Sequence, residues 1–279
     1  MISFVIATAN RPAQLKSCIS SLLAQPGCFE IIVIDQSDQN CVSWNKLSKV
    51  SVIRMEQRGL SAARNRGVHE SRGDIIAFID DDATLHLSYL KTLESFLSKN
   101  PCVAGVAGRV LINSTDRPYA KTQNGTTRPL RANDWMMVLG GNMAFRRAAL
   151  RTVGAFDERF GSGVSWASGE ESDYFFRMVE HEMCMMYLPQ LIVYHPIEAL
   201  GHTSATLRHK LYHYGRGTGA LFAKHLGKGR LKMLWYWLWS LCKPAARIVQ
   251  FALIGKVAQL SVQVAILRGR ITGFFEYVD

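Results

Sequence analysis

The sequence predicts an α/β fold, in which a mostly parallel sheet is flanked by helices and followed by a basic helical tail. Apolar segments of strand length alternate with helical patterns through residues 1–200, and strands that are apolar on both faces are typical of a sheet covered by helices. Composition changes after residue 200. Residues 201–279 carry 12 basic and 2 acidic side chains, whereas residues 1–200 carry 21 and 20. We therefore predict a domain over 1–200 and a separate tail over 201–279.

The overall composition excludes several classes of protein. The chain has 279 residues, of which 48% are hydrophobic and 20% charged, so neither a disordered chain nor a polytopic membrane protein is expected. Six scattered cysteines, Cys41 among them, show no CxxC spacing, and they predict reduced cytosolic thiols rather than a disulfide framework or a zinc site. The first residues enter a strand pattern directly, so no secretory signal is expected.

The first hundred residues predict four strands and three helices. The strands are expected at 2–8, 30–35, 51–55 and 74–80. The helices are expected after the break at Pro12, where the apolar pattern runs from Leu15 to Leu23, and over 60–70 and 86–99. Ligands of such sheets collect at the carboxyl ends of the parallel strands. We therefore expect Thr8, Asp35 and residues 80–82 to be neighbours in one crevice.

The second half of the domain is predicted in less detail. Polar residues at 113–134, with Gly and Pro, indicate a long loop that could cover a site. Helices are expected near 147–152 and from residue 170, and an extended segment over 185–194. The Gly-rich stretch 161–169 separates the two helices.

Three consecutive carboxylates, Asp80, Asp81 and Asp82, close the fourth strand. Side chains alternate along a strand, so Asp80 and Asp82 can face one side and Asp81 the other. The repulsion among them is relieved by a divalent cation, and hard oxygen ligands suit Mn²⁺ or Mg²⁺ with a substrate diphosphate. A solvated acidic turn is the alternative. His195 ends the last extended segment, where it is either structural or a neighbour of these aspartates.

Two further groups are candidates for binding a nucleotide. Asp35 could accept hydrogen bonds from a base or ribose, or it could only form a turn in DQSDQ. Arg58, Arg64 and Arg66 lie near the start of the helix at residue 60, where guanidinium groups and free N–H groups suit phosphate or base. A solvated helix face is the alternative for these arginines.

A second acidic cluster, Glu170, Glu171 and Asp173, follows the Gly-rich loop and Trp166. Such a loop suits close approach of a ring-shaped ligand, although acids also stabilise a helix N-terminus. Asp173 precedes Arg177 by four residues, which predicts a surface ion pair. A metal-like cluster together with a base-like cluster indicates metal-assisted group transfer.

Taken in order, these motifs resemble glycosyltransferase family 2, the inverting enzymes of the GT-A fold that include bacterial cell-surface polysaccharide glycosyltransferases. The motifs are FVIATANR, IIVIDQSD, RGLSAARNRG, FIDDDA, GGNMAFRRAAL, VGAFDERF, GEESDYFFR and the closing YHP, and they cover residues 1–200. The resemblance implies a nucleotide-diphosphate-sugar donor, and a saccharide or lipid-linked saccharide acceptor for cell-surface polysaccharide or glycolipid synthesis.

The resemblance also implies roles for individual residues. On the donor side it places Thr8, Asn10, Arg11, Asp35, Arg58, Arg64, Asp80 and Asp81. The metal ligands would be Asp82 and His195, and the acceptor contacts Trp166, Glu170 and Asn142. Glu171 stands where the family commonly has the catalytic Asp, so it is the expected base. Glu is one methylene longer, and Glu170 or Asp173 remains an alternative base.

The implied reaction is a single in-line displacement that inverts the sugar. Two other functions are weighed against it. One is a non-catalytic nucleotide-sugar-binding or membrane scaffold protein, which would not need a base. The other is a sugar-nucleotide pyrophosphorylase, which expects a Gly-rich basic loop where this chain has TANRP.

The tail mixes basic residues with Tyr, Phe and Trp, and residues 233–242 read MLWYWLWSLC. Ten residues are too few to cross a bilayer. Residues 248–267 are long enough, but Lys256, Gln259 and Gln263 share one helical face, which favours a helix lying in the interface. We expect a cytoplasmic protein bound peripherally to the anionic inner face of the cell membrane. A protein-packed tail and a true span are the alternatives, and no nucleic acid partner is expected.

Overall fold

The computed structural model describes residues 1–39, 48–112, 115–119, 123, 125–196 and 204–278. Cys41 and part of the predicted loop at 113–134 lie outside these residues. The chain divides into two compact units. The first unit contains Met1–Arg58, Ala62–Phe156 and Glu171–Ile197, and the second contains Gly59–Ser61, Asp157–Glu170 and Glu198–Asp279. The boundary proposed from composition lies at residue 200, and the second unit also takes in two segments from before it.

The first unit alternates strands and helices along most of its length. In chain order the elements are β1 (Ile2–Thr8), α1 (Pro12–Leu23), β2 (Phe29–Asp35), β3 (Val50–Arg54), α2 (Leu60–Glu70), β4 (Ile75–Ile79), β5 (Thr84–Leu85), α3 (Tyr89–Lys99), β6 (Gly105–Ile112), β7 (Arg128–Pro129), a 3₁₀ helix (Ala132–Met137), β8 (Asn142–Arg146), α4 (Arg147–Val153), α5 (Glu170–Glu180) and β9 (Met185–His195). The elements predicted over the first hundred residues agree with these bounds to within three residues.

Within the described residues, nine strands form one sheet in the order β3-β2-β1-β4-β8-β6-β9-β5, with β7 paired to β9. Strands β1 to β4 are parallel to one another, and β6 is parallel to β9. Strand β8 is inserted antiparallel between β4 and β6. The predicted α/β class with a mostly parallel sheet is confirmed.

The core buries one face of β1 against α1. Phe4 and Ile6 of β1 belong to a buried cluster that includes Leu15 and Leu22 of α1. The ring of Phe4 meets that of Phe29 edge-on, with 5.6 Å between centroids. Each such side chain contributes about 2 kcal/mol of burial free energy. The strands are therefore firmly held, and so are the positions of the side chains at their carboxyl ends.

Strand β6 has no counterpart among the predicted elements. Its sequence, GVAGRVLI, contains two glycines, which are depleted in strands. A Cβ at Gly105 would lie 2.5 Å from the ring of Phe145, and one at Gly108 would lie 2.3 Å from the amide of Asn142. Close approach to side chains of β8 requires glycine here, and that requirement comes from tertiary structure rather than from local preference.

The second unit is mainly helical, with α6 (Ser204–Gly227), α7 (Lys232–Leu253) and α8 (Val257–Glu276). The predicted helical tail is confirmed, but the single helix expected over 248–267 is wrong, because the chain breaks between α7 and α8 and Lys256 caps the start of α8. Helices α6 and α8 approach each other through glycines: a Cβ on Gly219 would lie 2.3 Å from the carbonyl oxygen of Arg270, and one on Gly273 would lie 2.0 Å from that of Arg216. Across the described part of the chain, each helix is too short or too polar to cross a membrane.

Candidate active site

The carboxyl ends of β1, β2 and β4 bring three of the predicted polar positions to one edge of the sheet. Thr8 at the end of β1 is in register with Asp35 at the end of β2. The hydroxyl of Thr8 donates a 2.7 Å hydrogen bond to Oδ2 of Asp81, and both residues are buried. The aspartate triplet follows β4, the other parallel neighbour of β1. The neighbours expected in one crevice therefore meet at the same sheet edge.

The three aspartates lie in a tight turn that points their side chains in different directions. The N–H of Ala83 donates to the carbonyl of Asp80 at 3.1 Å, so the chain bends directly after β4. Asp80 and Asp82 approach His195, the last residue of β9, while Asp81 contacts β1. Nε2 of His195 lies 3.9 Å from Oδ2 of Asp80 and 3.0 Å from Oδ1 of Asp82.

The chemistry of this group fits a divalent cation. One ligand atom each from Asp80, Asp82 and His195 can be chosen so that all three lie within 4.8 Å of one another. Oδ1 of Asp82 is buried and lies 3.0 Å from Nε2 of His195. Two carboxylate oxygens and an imidazole nitrogen suit Mn²⁺ or Mg²⁺. The convergence of these three ligand atoms is the observation that most favours a bound ion.

Arg11 already supplies a positive charge to the triplet. Its Nη1 donates to Oδ2 of Asp82 at 3.1 Å and to Oδ1 of Asp81 at 3.3 Å. Burial raises the pKa of Asp81, and its bond from Thr8 and the charge of Arg11 offset this only in part. Burial opposes ionisation of Asp82 too, but His195 and Arg11 outweigh it, so the pKa of Asp82 is below its usual value.

The same contacts act on the imidazole. Burial lowers the pKa of His195, but Asp82 and Asp80 outweigh that effect, and the net pKa is above the usual value. The ring of Tyr119 meets His195 edge-on at 5.1 Å, and Tyr119 is 47% exposed. Sequence reasoning missed Tyr119, which lies in the predicted loop and belongs to no recognised motif.

Arg64 contacts Asp80, and Gly140 and Gly141 leave the space that these two side chains occupy. The guanidinium of Arg64 is buried near the rings of Phe78 and Phe156, and it lies 3.7 Å from Oδ1 of Asp80. A Cβ on Gly140 would lie 2.4 Å from Nη2 of Arg64, and one on Gly141 would lie 2.2 Å from Oδ2 of Asp80. The sequence predicted a role only for the asparagine of the GGN motif, and these two glycine roles follow from tertiary contacts.

Asn10 connects the loops that follow β1 and β2. Its backbone has a φ of 58°, in the left-handed region that non-glycine residues rarely adopt. Its N–H donates to the hydroxyl of Ser37 at 2.8 Å, and its side chain exchanges hydrogen bonds with Asp38. Asp38 also pairs with Arg58. Arg66 is exposed on α2 and pairs with a carboxylate one turn later, as expected for a solvated helix face.

Asp35 is held in place by its own loop and by the next strand. Its Oδ1 accepts a 2.9 Å hydrogen bond from the N–H of Ser37, and its Oδ2 lies 3.5 Å from Arg54. The carboxylate of Asp35 is buried and held in a fixed position. It forms the expected turn, and its hydrogen bonds to a base or ribose stay a prediction.

Asn142 does not present its side chain to an acceptor in this conformation. It is fully buried, and its amide donates at 2.9 Å to the carbonyls of Arg109 and Leu191. Its carbonyl accepts a 3.0 Å hydrogen bond from the hydroxyl of Tyr89. These three bonds join β8 to β6, β9 and α3. They give Asn142 a structural role, and its contact with an acceptor stays a prediction.

The second acidic cluster occupies the first turn of α5. Within the first unit, Glu171 is half-buried and Asp173 is fully buried. Asp173 accepts a 3.0 Å hydrogen bond from Arg177. The predicted pairing is confirmed, but its expected surface location is wrong, because Asp173 is fully buried and the guanidinium of Arg177 lies over the ring of Tyr174.

Two acceptor candidates belong to the second unit. Glu170 is buried, and Trp166 is half-buried. The guanidinium of Arg216 lies 5.0 Å from the ring of Trp166, and the ring of Tyr277 lies 5.9 Å from it. Trp166 thus packs within its own unit, and its contact with an acceptor stays a prediction.

The structure thus combines a mostly parallel sheet with an Asp-Asp-His group near the carboxyl ends of its parallel strands. The sequence pattern described as glycosyl transferase family 2 matches residues 3–154. That match covers more than half of the chain, and the chain belongs to this family.

Individual relatives agree with the family. A glucosyl-dolichyl phosphate glucuronosyltransferase of Haloferax volcanii is 23% identical over 180 residues, which are 57% of this chain and 50% of the relative. A pre-mycofactocin glycosyltransferase of Mycobacterium tuberculosis is 25% identical over 209 residues, covering 70% of this chain and 42% of the relative. The chain spans half or less of the length of these curated relatives.

A solved structure supports the fold along nearly the whole chain. It is the mannosyltransferase PcManGT from Pyrobaculum calidifontis in complex with GDP-Man and Mn²⁺, with a TM-score of 0.68 and 15% sequence identity. The likeness covers 99% of this chain and 87% of that one. The predicted GT-A fold is confirmed.

Proposed function

We propose that this glycosyltransferase moves a sugar, with inversion, from a nucleotide-diphosphate-sugar to an acceptor hydroxyl, and that it depends on Mn²⁺ or Mg²⁺. The observation that carries the proposal is the convergence of Asp80, Asp82 and His195, whose ligand atoms lie within 4.8 Å of one another. The fold likeness to a mannosyltransferase whose solved structure holds GDP-Man and Mn²⁺ supports it.

The residues at the sheet edge form two groups, one beside the metal and one beside the donor, and Asp80 belongs to both. Asp80, Asp82 and His195 would hold the cation, which when bound supplies positive charge to the departing diphosphate. The donor side consists of Thr8, Asn10, Arg11, Asp35, Arg58, Arg64, Asp80 and Asp81. The pairing of Arg58 with Asp38, and of Arg64 with Asp80, fixes these guanidinium groups before a donor arrives.

Glu171 is the proposed base. Glu170 and Asp173 are buried, and Asp173 is already engaged by Arg177. Glu171 is half-buried and therefore the more accessible carboxylate of the cluster. It takes the proton of the acceptor hydroxyl while that oxygen bonds to the anomeric carbon. The bond from the anomeric carbon to the diphosphate oxygen breaks on the opposite face, so the configuration inverts.

The first experiment measures Mn²⁺-dependent release of nucleotide from UDP-, GDP- and dTDP-sugars. Asp82→Asn should weaken Mn²⁺ binding at least tenfold, measured by calorimetry, and release should fall with it. Asp74→Asn is the matched control, because its side chain is 88% exposed. Equal Mn²⁺ binding by Asp82→Asn and the wild type would contradict the proposed metal site.

The second experiment separates catalysis from binding. Glu171→Gln should lower transfer by about 10²- to 10⁴-fold while donor binding persists, because only the proton acceptor is lost. A Glu171→Gln protein with near wild-type transfer would exclude Glu171 as the base. A wild-type chain that binds donor and Mn²⁺ but transfers no sugar would favour the non-catalytic scaffold.

The place of action is part of the same proposal. The catalytic region is assigned to residues 1–200, and the tail, 201–279, brings it to the cytoplasmic face of the cell membrane. There a saccharide or lipid-linked saccharide would accept the sugar during synthesis of a cell-surface polysaccharide or glycolipid. The net charge of +10 over residues 201–279 supports this placement.

A further inference from the structure

Helix α7 has two apolar faces, and only one of them is packed. Its inner face consists of Met233, Trp237, Ser240 and Pro244, which are buried. Trp237 stacks on Phe274 of α8 with 4.0 Å between ring centroids, and its indole N–H donates to the carbonyl of Arg270 at 3.0 Å. These contacts fix the rotation of α7, so its opposite side must face away from α8.

The opposite side is an exposed apolar surface. We define the outer face of α7 as Leu231, Leu234, Trp235, Leu238, Trp239, Val249 and Leu253, all of which are exposed. Trp235 is 74% exposed and Trp239 is 67% exposed. At a helical rise of 1.5 Å per residue, the face runs for about 33 Å. Soluble proteins seldom leave a continuous apolar patch of this extent uncovered, and such patches mark interaction surfaces.

Positive charge borders this face along one side. Lys232, Lys243 and Arg247 are exposed, and on a helical projection they fall together next to Trp239. The sequence of α7 contains no Asp or Glu. A long apolar face with an indole pair and a one-sided basic border complements an anionic lipid surface, where aliphatic stems lie over the apolar region and charges reach the headgroups.

We propose that the outer face of α7 lies flat on an anionic bilayer, with Trp235 and Trp239 at the boundary between headgroups and acyl chains. The inference deepens the proposed function, since it rests on the placement of the protein at a membrane and identifies the surface that makes the contact. A helix packed on one side and apolar on the other lies in the interface rather than crossing the bilayer.

The test is flotation of the full-length chain with vesicles of phosphatidylcholine, with and without 30 mol% phosphatidylglycerol. The double variant Trp235→Ser/Trp239→Ser should lose at least tenfold in affinity for the anionic vesicles. Leu87→Ser is the matched control, because Leu87 is 70% exposed in the first unit, and it should float as the wild type does. Circular dichroism of each variant checks that the helices remain folded.

A second pair of variants tests the basic border. Lys232→Gln/Lys243→Gln should weaken binding to anionic vesicles by about thirtyfold, since each lysine near such a surface contributes about a factor of five. Lys91→Gln/Lys99→Gln removes two exposed lysines from α3 and should change binding little. The proposal would be overturned if both double lysine variants lost the same affinity for anionic vesicles. It would also be overturned if the double tryptophan variant floated as the wild type does.

Two further readouts keep this proposal separable from that of catalysis. Mn²⁺-dependent nucleotide release in detergent should survive Trp235→Ser/Trp239→Ser, whereas Asp82→Asn should lose release and still float. Light scattering tests a second copy of the chain as the occupant of the face. A wild-type dimer that the tryptophan variant converts to a monomer, without vesicle binding by either, would overturn the membrane assignment.

Discussion

Gly141 has no Cβ, and the space that this leaves is taken by the carboxylate of Asp80. The position of an added Cβ, 2.2 Å from Oδ2 of Asp80, is occupied by the carboxylate itself. Real Cβ atoms do not approach an oxygen so closely, so the carboxylate or the turn would have to move. The backbone of Gly141 therefore forms the wall against which a candidate metal ligand rests.

Gly141→Ala should displace Asp80 and weaken Mn²⁺ binding by about 10- to 100-fold, the usual cost of disturbing a group that orients a ligand. Calorimetric titration with Mn²⁺ measures the effect. Gly227→Ala is the control, because a Cβ there meets nothing within 4 Å. Unchanged Mn²⁺ affinity in Gly141→Ala would mean that Asp80 does not ligate the ion.

At this scale the sequence predicts some side chains and not others. The aspartate triplet and His195 could be proposed because strand ends and hard ligands follow general rules. The packing of Gly141 and the burial of Asn142 could not, since both depend on which distant segments meet them. A motif indicates that a residue matters, but the contacts decide whether it binds a ligand or supports the residue that does.

Among the elements, the α6–α8 pair depends on four glycines. Gly215 and Gly219 of α6 meet Gly269 and Gly273 of α8, and in each case an added Cβ would lie 2.0 to 2.7 Å from a backbone oxygen of the other helix. Backbone atoms cannot rotate away as side chains can, so the two helices would have to separate. The close approach therefore tolerates no side chain.

Gly273→Ala should destabilise the second unit by about 1–3 kcal/mol, the range for overpacking a tight contact, less about 1 kcal/mol regained from alanine's higher helix propensity. Urea unfolding measures the difference. At Gly227, where space is open, alanine should leave the free energy of unfolding unchanged or raise it. A stabilised Gly273→Ala would show that the helices separate without cost.

The helices and strands of the first hundred residues could be predicted because their apolar periodicity matches their final environment. Strand β6 could not, as its glycines contradict local propensity and are required only by Phe145 and Asn142. The run of Trp and Leu over residues 233–242 of α7 can be read directly from the sequence. Which side packs became clear only from the stacking of Trp237 on Phe274.

At the scale of the whole molecule, charge is distributed unevenly and so is its dependence on pH. In the second unit, Asp157 accepts hydrogen bonds from Lys224 at 2.8 Å and from Arg159 at 2.9 Å, and Lys224 is buried. Burial alone raises the pKa of Asp157, but the bonds from Arg159 and Lys224 outweigh it and lower the pKa to about 2.

This lowered pKa fixes the sign of a pH effect. The folded state holds the proton of Asp157 less tightly than the unfolded state does, so the stabilisation is complete above about pH 4 and is lost as pH falls through 2. Asp157→Asn should cost about 3 kcal/mol at pH 7, because Lys224 stays buried without its partner. Urea unfolding should show the gap from wild type narrowing by about 2 kcal/mol between pH 4 and pH 2. A gap independent of pH would contradict the pairing.

The net charge of +11 also has a different meaning when it is divided along the chain. The first 200 residues are nearly neutral, so the candidate site relies on a few placed arginines rather than on bulk charge. That division could be predicted by counting. The neighbours of each arginine could not, and Arg11 is the clearest case.

The guanidinium of Arg11 occupies a position from which it would compete with a cation for the carboxylates of Asp81 and Asp82. Its guanidinium bonds to Asp81 and Asp82, and its side chain is 44% exposed, which leaves room for it to swing outward. Arg11 bonds Oδ2 of Asp82, and a cation at the proposed site would compete with it for the negative charge of that carboxylate. The apparent dissociation constant of a divalent ion then exceeds the intrinsic one by the inverse of the fraction of molecules in which Arg11 has already left. If the proposed metal dependence holds, this one side chain would help to set the cation concentration needed for activity.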